Sequence, residues 1–345
     1  MAEPADRTTA RRAGERFTVL IGLLLITGCV HTPRPVESVA PPQVESVAPP
    51  QPALTVTAAT MLVDHFRTVD LAARKHRSAA KLRTVLTGPA LALERARIRY
   101  AEKSGGKPAG NQPPHDHHFR VFSTAAGSYP QLAMIIGSRQ KDAAADSNYL
   151  AERQTASARW LISYVADGDL NTFLPQRTGA HRPTSSSSQI FAAVRPGVVI
   201  NGIAPERITA LVAAALRSPG GKQARRLVDN PDFHRAAATG SSDDHAEHQT
   251  RSYRYLPQRW QQAYRATDQS LIVFGGFTRK VRTRMDHNWW VELGGSDRKV
   301  LPGKYSSYTD TTQWQFVVRV PRHGKIALQS VESADADLTG KPFPA

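Results

Sequence analysis

The apolar positions of this chain follow two periods, one helical and one extended, which alternate along its length. Leu62, Phe66, Val69 and Ala73 recur at three- and four-residue spacing and predict a helix with one apolar stripe, which Thr57 can cap. The pattern continues, bent or broken, through Leu82, Val85 and Leu86 until Gly88-Pro89 stops it. A second helix is predicted from Ala90 to about Lys103, with Arg74, Lys75, Arg77, Lys81 and Arg83 as a solvated face. Glycine and proline interrupt the stretch from Ser104 to Pro114. Beyond it Phe119, Val121, Leu132 to Ile136, Trp160, Ile162 and Tyr164 predict strands of a half-buried antiparallel sheet.

The second half repeats that order. Ile208, Leu211, Val212, Ala215 and Leu216 mark a helix beginning near Pro205, and a further helix is predicted from Arg259 to Arg265. Strands follow at Leu271 to Phe274, Phe277 to Arg282 and Trp289 to Leu293. The clearest unit is a hairpin in which the alternating arms Trp314 to Val320 and Lys325 to Val331 flank the turn Pro321-Arg322-His323-Gly324. Helices before strands, twice, predict an α+β fold of two similar lobes, each with helices on a curved antiparallel sheet. The expected lobes are residues 54–175 and 190–345, joined by a serine-rich linker at 176–189. Trp260, Trp289, Trp290 and Trp314 are expected to anchor the second core, because large aromatics dominate burial.

The N-terminus has a different pattern. Arg7, Arg11, Arg12 and Arg16 precede an apolar run from Phe17 to Ile26, the basic segment and short hydrophobic core of a secretory signal peptide at 1–28. The run is too short to span a bilayer, which takes about 20 apolar residues. It ends in Ile26-Thr27-Gly28-Cys29, which resembles the lipobox of bacterial lipoproteins; that resemblance implies cleavage before Cys29 and a diacylglyceryl group on its thiol. More than one acyl chain is needed for stable anchoring, so a lipidated Cys29 would hold the mature chain on the outer face of a membrane. Arg11-Arg12 lacks the hydrophobic pair expected of twin-arginine export, since Ala13-Gly14-Glu15 follows. The octapeptide Val36 to Gln43 recurs as Val44 to Gln51, and its proline pairs favour polyproline II. The expected tether, 29–53, could then reach on the order of 70 Å at about 3.1 Å per residue.

Cys29 is the chain's one cysteine, so an exported body must be held together by its core rather than by disulfides. The net charge of +16 attracts anionic lipid head groups, envelope polymers or acidic proteins. Nucleic-acid binding, a common reading of such charge, does not suit an exported chain. Catalytic signals are weak. Ser78-Ala79-Ala80-Lys81 matches the Ser-x-x-Lys of acyl enzymes, but a chain of this composition contains about one such spacing by chance. Asp146-Ser147-Asn148 has the wrong order for a companion motif, and Arg177-Thr178-Gly179 lies too near downstream. His115, Asp116, His117 and His118 form the densest group of metal-ligand types, with Asp243, Asp244, His245, Glu247 and His248 in a second polar stretch. One strand supplies at most two of the three or four ligands zinc needs, and both stretches read as solvated loops. No catalytic residue, metal ligand or cofactor is therefore assigned, and Cys29 is the one candidate site.

Taken whole, the chain resembles actinobacterial lipoproteins that carry a large domain of unknown function. The likeness rests on the lipobox, the helix leading into Thr87-Gly88-Pro89-Ala90-Leu91, and the segments around Tyr129-Pro130 and Ser157-Ala158-Arg159-Trp160. Leu271-Ile272-Val273-Phe274 and the closing hairpin complete it. It implies a membrane-anchored, non-catalytic binding or scaffolding protein of the cell envelope, and brings no catalytic residues with it. Each half is also similar to nuclear-transport-factor-like and cystatin-like cone folds. That likeness leaves open an alternative, a small molecule or an active site held in the concavity of a sheet.

Overall fold

The computed structural model describes residues 51–344 apart from 109–115, 128, 140–146, 168–187, 191–193, 195–196, 238–244, 247, 259–261 and 267. Cys29 and nearly all of the expected tether lie outside the described residues. The first helix, α1, runs Val56–His76 and is capped two residues earlier than expected, by Thr55, whose hydroxyl accepts from the Ala58 amide at 3.2 Å. It ends in a left-handed Arg77, and a 3-10 turn at Ala80–Thr84 follows. Gly88-Pro89 separates the two helices by opening the second one, α2, Gly88–Ser104, where proline's missing N–H costs nothing.

The first sheet has the order β4-β3-β2-β1-β5. Strands β1 (His118–Ser123), β2 (Gln131–Ser138), β3 (Ser147–Arg153) and β4 (Leu161–Asp167) form an antiparallel meander, and β5 (Ser188–Ile190) adds to β1 in parallel. One face, with Phe119, Val121, Ile135, Tyr149 and Ile162, packs on Val63 and Phe66 of α1 and Ile98 of α2. The other face carries Phe122, Met134, Ile136, Leu150 and Tyr164 into a second core. The sheet is therefore buried on both faces, not half-buried. Leu132 to Ile136 is a continuous apolar run for that reason, since neither face meets water. At the end of β3 the Arg153 guanidinium lies over the rings of Tyr129 and Trp160, 5.6 and 5.4 Å from their centroids, and binds Gln131.

The second sheet receives the helices α3 (Pro205–Arg217) and α4 (Pro231–Ala237) on one face. Its strands are β6 (His245–Ala246), β7 (Gln249–Pro257), β8 (Gln262–Arg265), β9 (Leu271–Met285), β10 (Val291–Glu292), β11 (Lys304–Val320) and β12 (Ala327–Pro342), with the short helix α5 (Gly295–Val300) before β11. The expected hairpin is present as β11 and β12 but extends well beyond the alternating core of the pattern. The helix expected from Arg259 to Arg265 begins on residues outside the described ones, and its described part, Gln262–Arg265, is instead strand, pairing with β9 beyond β7 on the same edge. Alternation explains it, because Ala263 enters the core under α3 while Tyr264 enters the core on the opposite face. The segments Leu271 to Phe274 and Phe277 to Arg282 are one strand. Gly275 and Gly276 are not a break: a Cβ on Gly275 would stand 2.7 Å from the Phe316 ring.

The two sheets meet face to face. Tyr164 of the first stands edge-on to Phe274 of the second at 5.0 Å, and Tyr264, on β8 of the second sheet, packs edge-on to the same ring at 5.8 Å. Gln262 donates to the buried Glu152 across the same interface at 2.7 Å and accepts from the Tyr264 hydroxyl at 3.0 Å. From Pro49 onward the chain is one compact unit.

A buried ionic network ties the helices to the second sheet. Arg74 donates to Asp70 and Glu94, both at 2.7 Å; Arg97 donates to Glu94 and, at 3.2 Å, to Glu332. Arg74 is thus a core residue rather than part of the solvated face. Gln315 reaches the same Glu332 oxygen at 3.2 Å. The carboxylates of Asp70, Glu94 and Glu332 outnumber the guanidinium groups of Arg74 and Arg97. Burial, followed by the Glu94 charge, pushes Asp70 up to about 7.

Two expected outcomes follow from this packing. Phe274→Ala should destabilise the protein by about 3–5 kcal/mol, measured by urea unfolding, because a cavity opens between two sheets that cannot collapse independently. Asp70 carries a raised value in the folded state, so its contribution to stability is fully present below about pH 4 and is lost as pH rises to about 7. Asp70→Asn should remove part of that decline, leaving the part due to Asp310, which burial and then Asp335 push up to about 6. Unfolding in about pH 5 and about pH 8 buffers compares them; the same pH dependence in both proteins would show that Asp70 ionises normally.

Candidate functional site

The long strands of the second sheet extend past the first sheet, and β9 shows what happens to a strand that leaves a core. Ile272 and Phe274 face the first sheet. Farther along that same face, alternate residues Lys280, Arg282 and Arg284 are exposed. Their spacing along the strand is about 6.7 Å. On β7 the register places Arg254 opposite Lys280, Ser252 opposite Arg282 and Thr250 opposite Arg284. On β11 it places Thr311, Thr309 and Ser307 beside the same three cations.

The opposite face of β9 makes the contrast. Arg279 is buried there, stacked 5.2 Å from the Trp314 centroid, donating to the Thr312 hydroxyl at 3.2 Å and standing 3.9 Å from Asp310. Among the described residues, by comparison, no carboxylate pairs with Arg254, Lys280, Arg282 or Arg284. Like charges directly opposed across a sheet are destabilising, and Arg254 and Lys280 are such a pair.

The row ends at an aromatic tip. The turn after β9 carries Trp289 and Trp290, 47% and 40% exposed. Trp289 stacks on His248 at 3.7 Å, and Lys304 Nζ sits 3.9 Å from the Trp290 centroid. Trp314 does anchor the core as expected, while Trp289 and Trp290 do not, because the turn projects them past the last paired residues of β9. Trp260 lies outside the described residues. A second basic group forms between the 3-10 turn and α2, where burial and then Arg83 and Arg99 lower the pKa of Arg95.

The other candidates are dispersed. Ser78 and Lys81 are both exposed between α1 and α2. His117 is exposed and His118 opens β1. Asp116 is buried, not part of a solvated loop: its Oδ2 accepts from the Tyr149 hydroxyl at 3.0 Å and from Ser147 Oγ. Burial first, then Asp116, raises the Tyr149 pKa far above its usual value. This network fastens the start of β1 to β3. His115, Asp146, Arg177, Thr178, Gly179, Asp243, Asp244 and Glu247 lie outside the described residues, and His245 belongs to β6. Among the described residues no cluster of three or more His, Cys, Asp or Glu side chains could hold a metal ion, and no helix is long and apolar enough to cross a membrane.

The face of the second sheet under α3 is filled, with Ile208, Leu211 and Val212 of α3 in the same core as Phe277, Trp314 and Phe316. A cavity of about 440 Å³ lies instead beside α4, with Leu227 and Phe233 among its apolar lining and Arg225 and Lys325 among its charged lining.

The pattern of basic residues was visible in the sequence as Lys280-x-Arg282-x-Arg284. Strand alternation places those cations on one face, but that no carboxylate among the described residues pairs with them is a tertiary fact.

Residues 50–341 match the model of a family described as a domain of unknown function, DUF8094, and the chain belongs to that family. Comparison with curated proteins and with solved structures found no match.

The row's electrostatic cost is measurable. Lys280→Gln should raise stability by about 0.2–1 kcal/mol at low ionic strength by relieving Arg254, and the gain should vanish at high salt. A loss of stability at low salt would mean that Lys280 has a favourable partner.

Proposed function

We propose that this member of the family is a lipoprotein, held by a diacylglyceryl group on Cys29 to the extracytoplasmic face of a cell membrane. Residues 30–53 act as a proline-rich tether that lifts a non-catalytic binding body into the envelope. The composition, in which arginine outnumbers lysine, suits an actinobacterial source. The observation that carries the binding role is the exposed row Lys280, Arg282 and Arg284 with Arg254 beside it, which among the described residues makes no ion pair with a carboxylate. An anionic envelope component supplies the counter-charge instead. The packed core between α3 and the second sheet favours this reading over a ligand or active site held on that face.

Lipid labelling and fractionation of intact cells test the anchor. The natural chain should carry label and sediment with membranes, and Cys29→Ser should lose both. An unlabelled Cys29→Ser protein that stays in the membrane fraction through a high-salt wash would overturn the anchor.

A further inference from the structure

Resting on that reading of the basic face, we infer that its ligand is a linear phosphodiester polymer lying along β9, rather than the lipid surface itself. The cations form a row on one strand, not a ring. A single phosphate therefore meets one or two of them, whereas a chain meets them all. Their repeat of about 6.7 Å is comparable to that of phosphates joined through a three-carbon linker in an extended chain. Arginine suits phosphate because its planar fork donates two parallel hydrogen bonds to phosphate oxygens. Ser252, Thr309 and Thr311 flank the row with further donors.

The surroundings of the row distinguish a chain from a bilayer. Lys280 is opposite Thr311, and Thr311 is opposite Asp337, so these three share a face. Asp337 is bound by Lys103, at the C-terminal end of α2, at 2.5 Å. Helix α2 therefore rises over β11 and β12 on the face that carries the row and walls it along one side. A flat lipid surface meets that wall before it meets the strand, while a flexible chain runs beside it. At the end of the row Trp289 and Trp290 offer indole surface to the carbon atoms of the linker or of a sugar upon it.

The test uses the full chain in detergent and synthetic poly(glycerol phosphate) of increasing length, with binding measured by calorimetry across a salt series. Glycerol phosphate monomer should not bind, and affinity should climb with each repeat until the row is covered. Log affinity should fall linearly with log salt, and Lys280→Gln or Arg282→Gln should each reduce that slope by about 0.7. The double variant should bind about tenfold or more weakly at low salt. Arg83→Gln, in the separate basic group that the 3-10 turn forms with Arg95 and Arg99 of α2, should change nothing. These cations are exposed, so circular dichroism of the variants should match that of the natural chain. Polymer binding that ignores both row variants would overturn the inference. So would phosphatidylglycerol vesicles that compete for the row as well as the polymer does at equal phosphate. Loss of Cys29 anchoring in cells leaves this in vitro result standing, and absence of polymer binding leaves the anchor standing, so the two readings fail separately.

Discussion

The contact on which this protein depends is the face-to-face packing of its two sheets through Tyr164, Phe274 and Tyr264. Each aromatic pair contributes about 0.5–1.5 kcal/mol beyond the area it buries. The geometric consequence matters as much as the energy. Once its second face is covered, the first sheet is closed to water on both sides, so its polar groups must be matched internally. Asp116 with Tyr149 and Ser147, and Glu152 with Gln262, are two such matches. The short meander can remain small because it is sandwiched between the helices and the second sheet.

Helix α2 completes that arrangement by touching both sheets. Its Ile98 belongs to the core over the first sheet, while Leu93 and Ala96 pack on Ala334 of β12. The Asp70, Arg74, Glu94, Arg97 and Glu332 network crosses the same helix. A buried ion pair gains little over an apolar replacement but loses much when one partner is removed. The network therefore fixes where α2 lies more than it stabilises the fold. Its position in turn decides which part of the second sheet is covered and which is left open.

Some of this was legible in the residues. The stripe Leu62, Phe66, Val69 and Ala73 announced α1, Pro205 announced the start of α3, and alternation around Pro321-Gly324 announced the last hairpin, because each depends on local periodicity. Strand β8 was not legible, since Gln262-Ala263-Tyr264-Arg265 has no helical or strand signature until both of its faces are known to be buried. Arg74 read as solvent-facing for a related reason: its partner Glu94 is twenty residues away on another helix. The candidate site divides in the same way. Strand alternation predicts that Lys280, Arg282 and Arg284 share a face, but their neighbours on β7 and β11 follow from a pairing register set by distant segments.

The exposed row is best understood as a consequence of unequal strand lengths. β9, β11 and β12 run 15, 17 and 16 residues, whereas the four strands of the first sheet's meander run 6 to 8. Two sheets of such different height cannot cover one another, so the outer third of β9 keeps its pairing on both sides but loses its cover on one face. Packing would tolerate ordinary polar residues there, as it does at Ser252, Thr250 and Thr309. Cations at alternate positions, with a fourth opposite the first, are instead the arrangement that pairing disfavours. On the other face of the same strand Arg279 has an aromatic ring, a hydroxyl and a carboxylate around it, so this fold can satisfy an arginine where its own stability requires it. Among the described residues the row has hydroxyl neighbours but no carboxylate paired with it, and it occupies the stretch of strand that the first sheet leaves open.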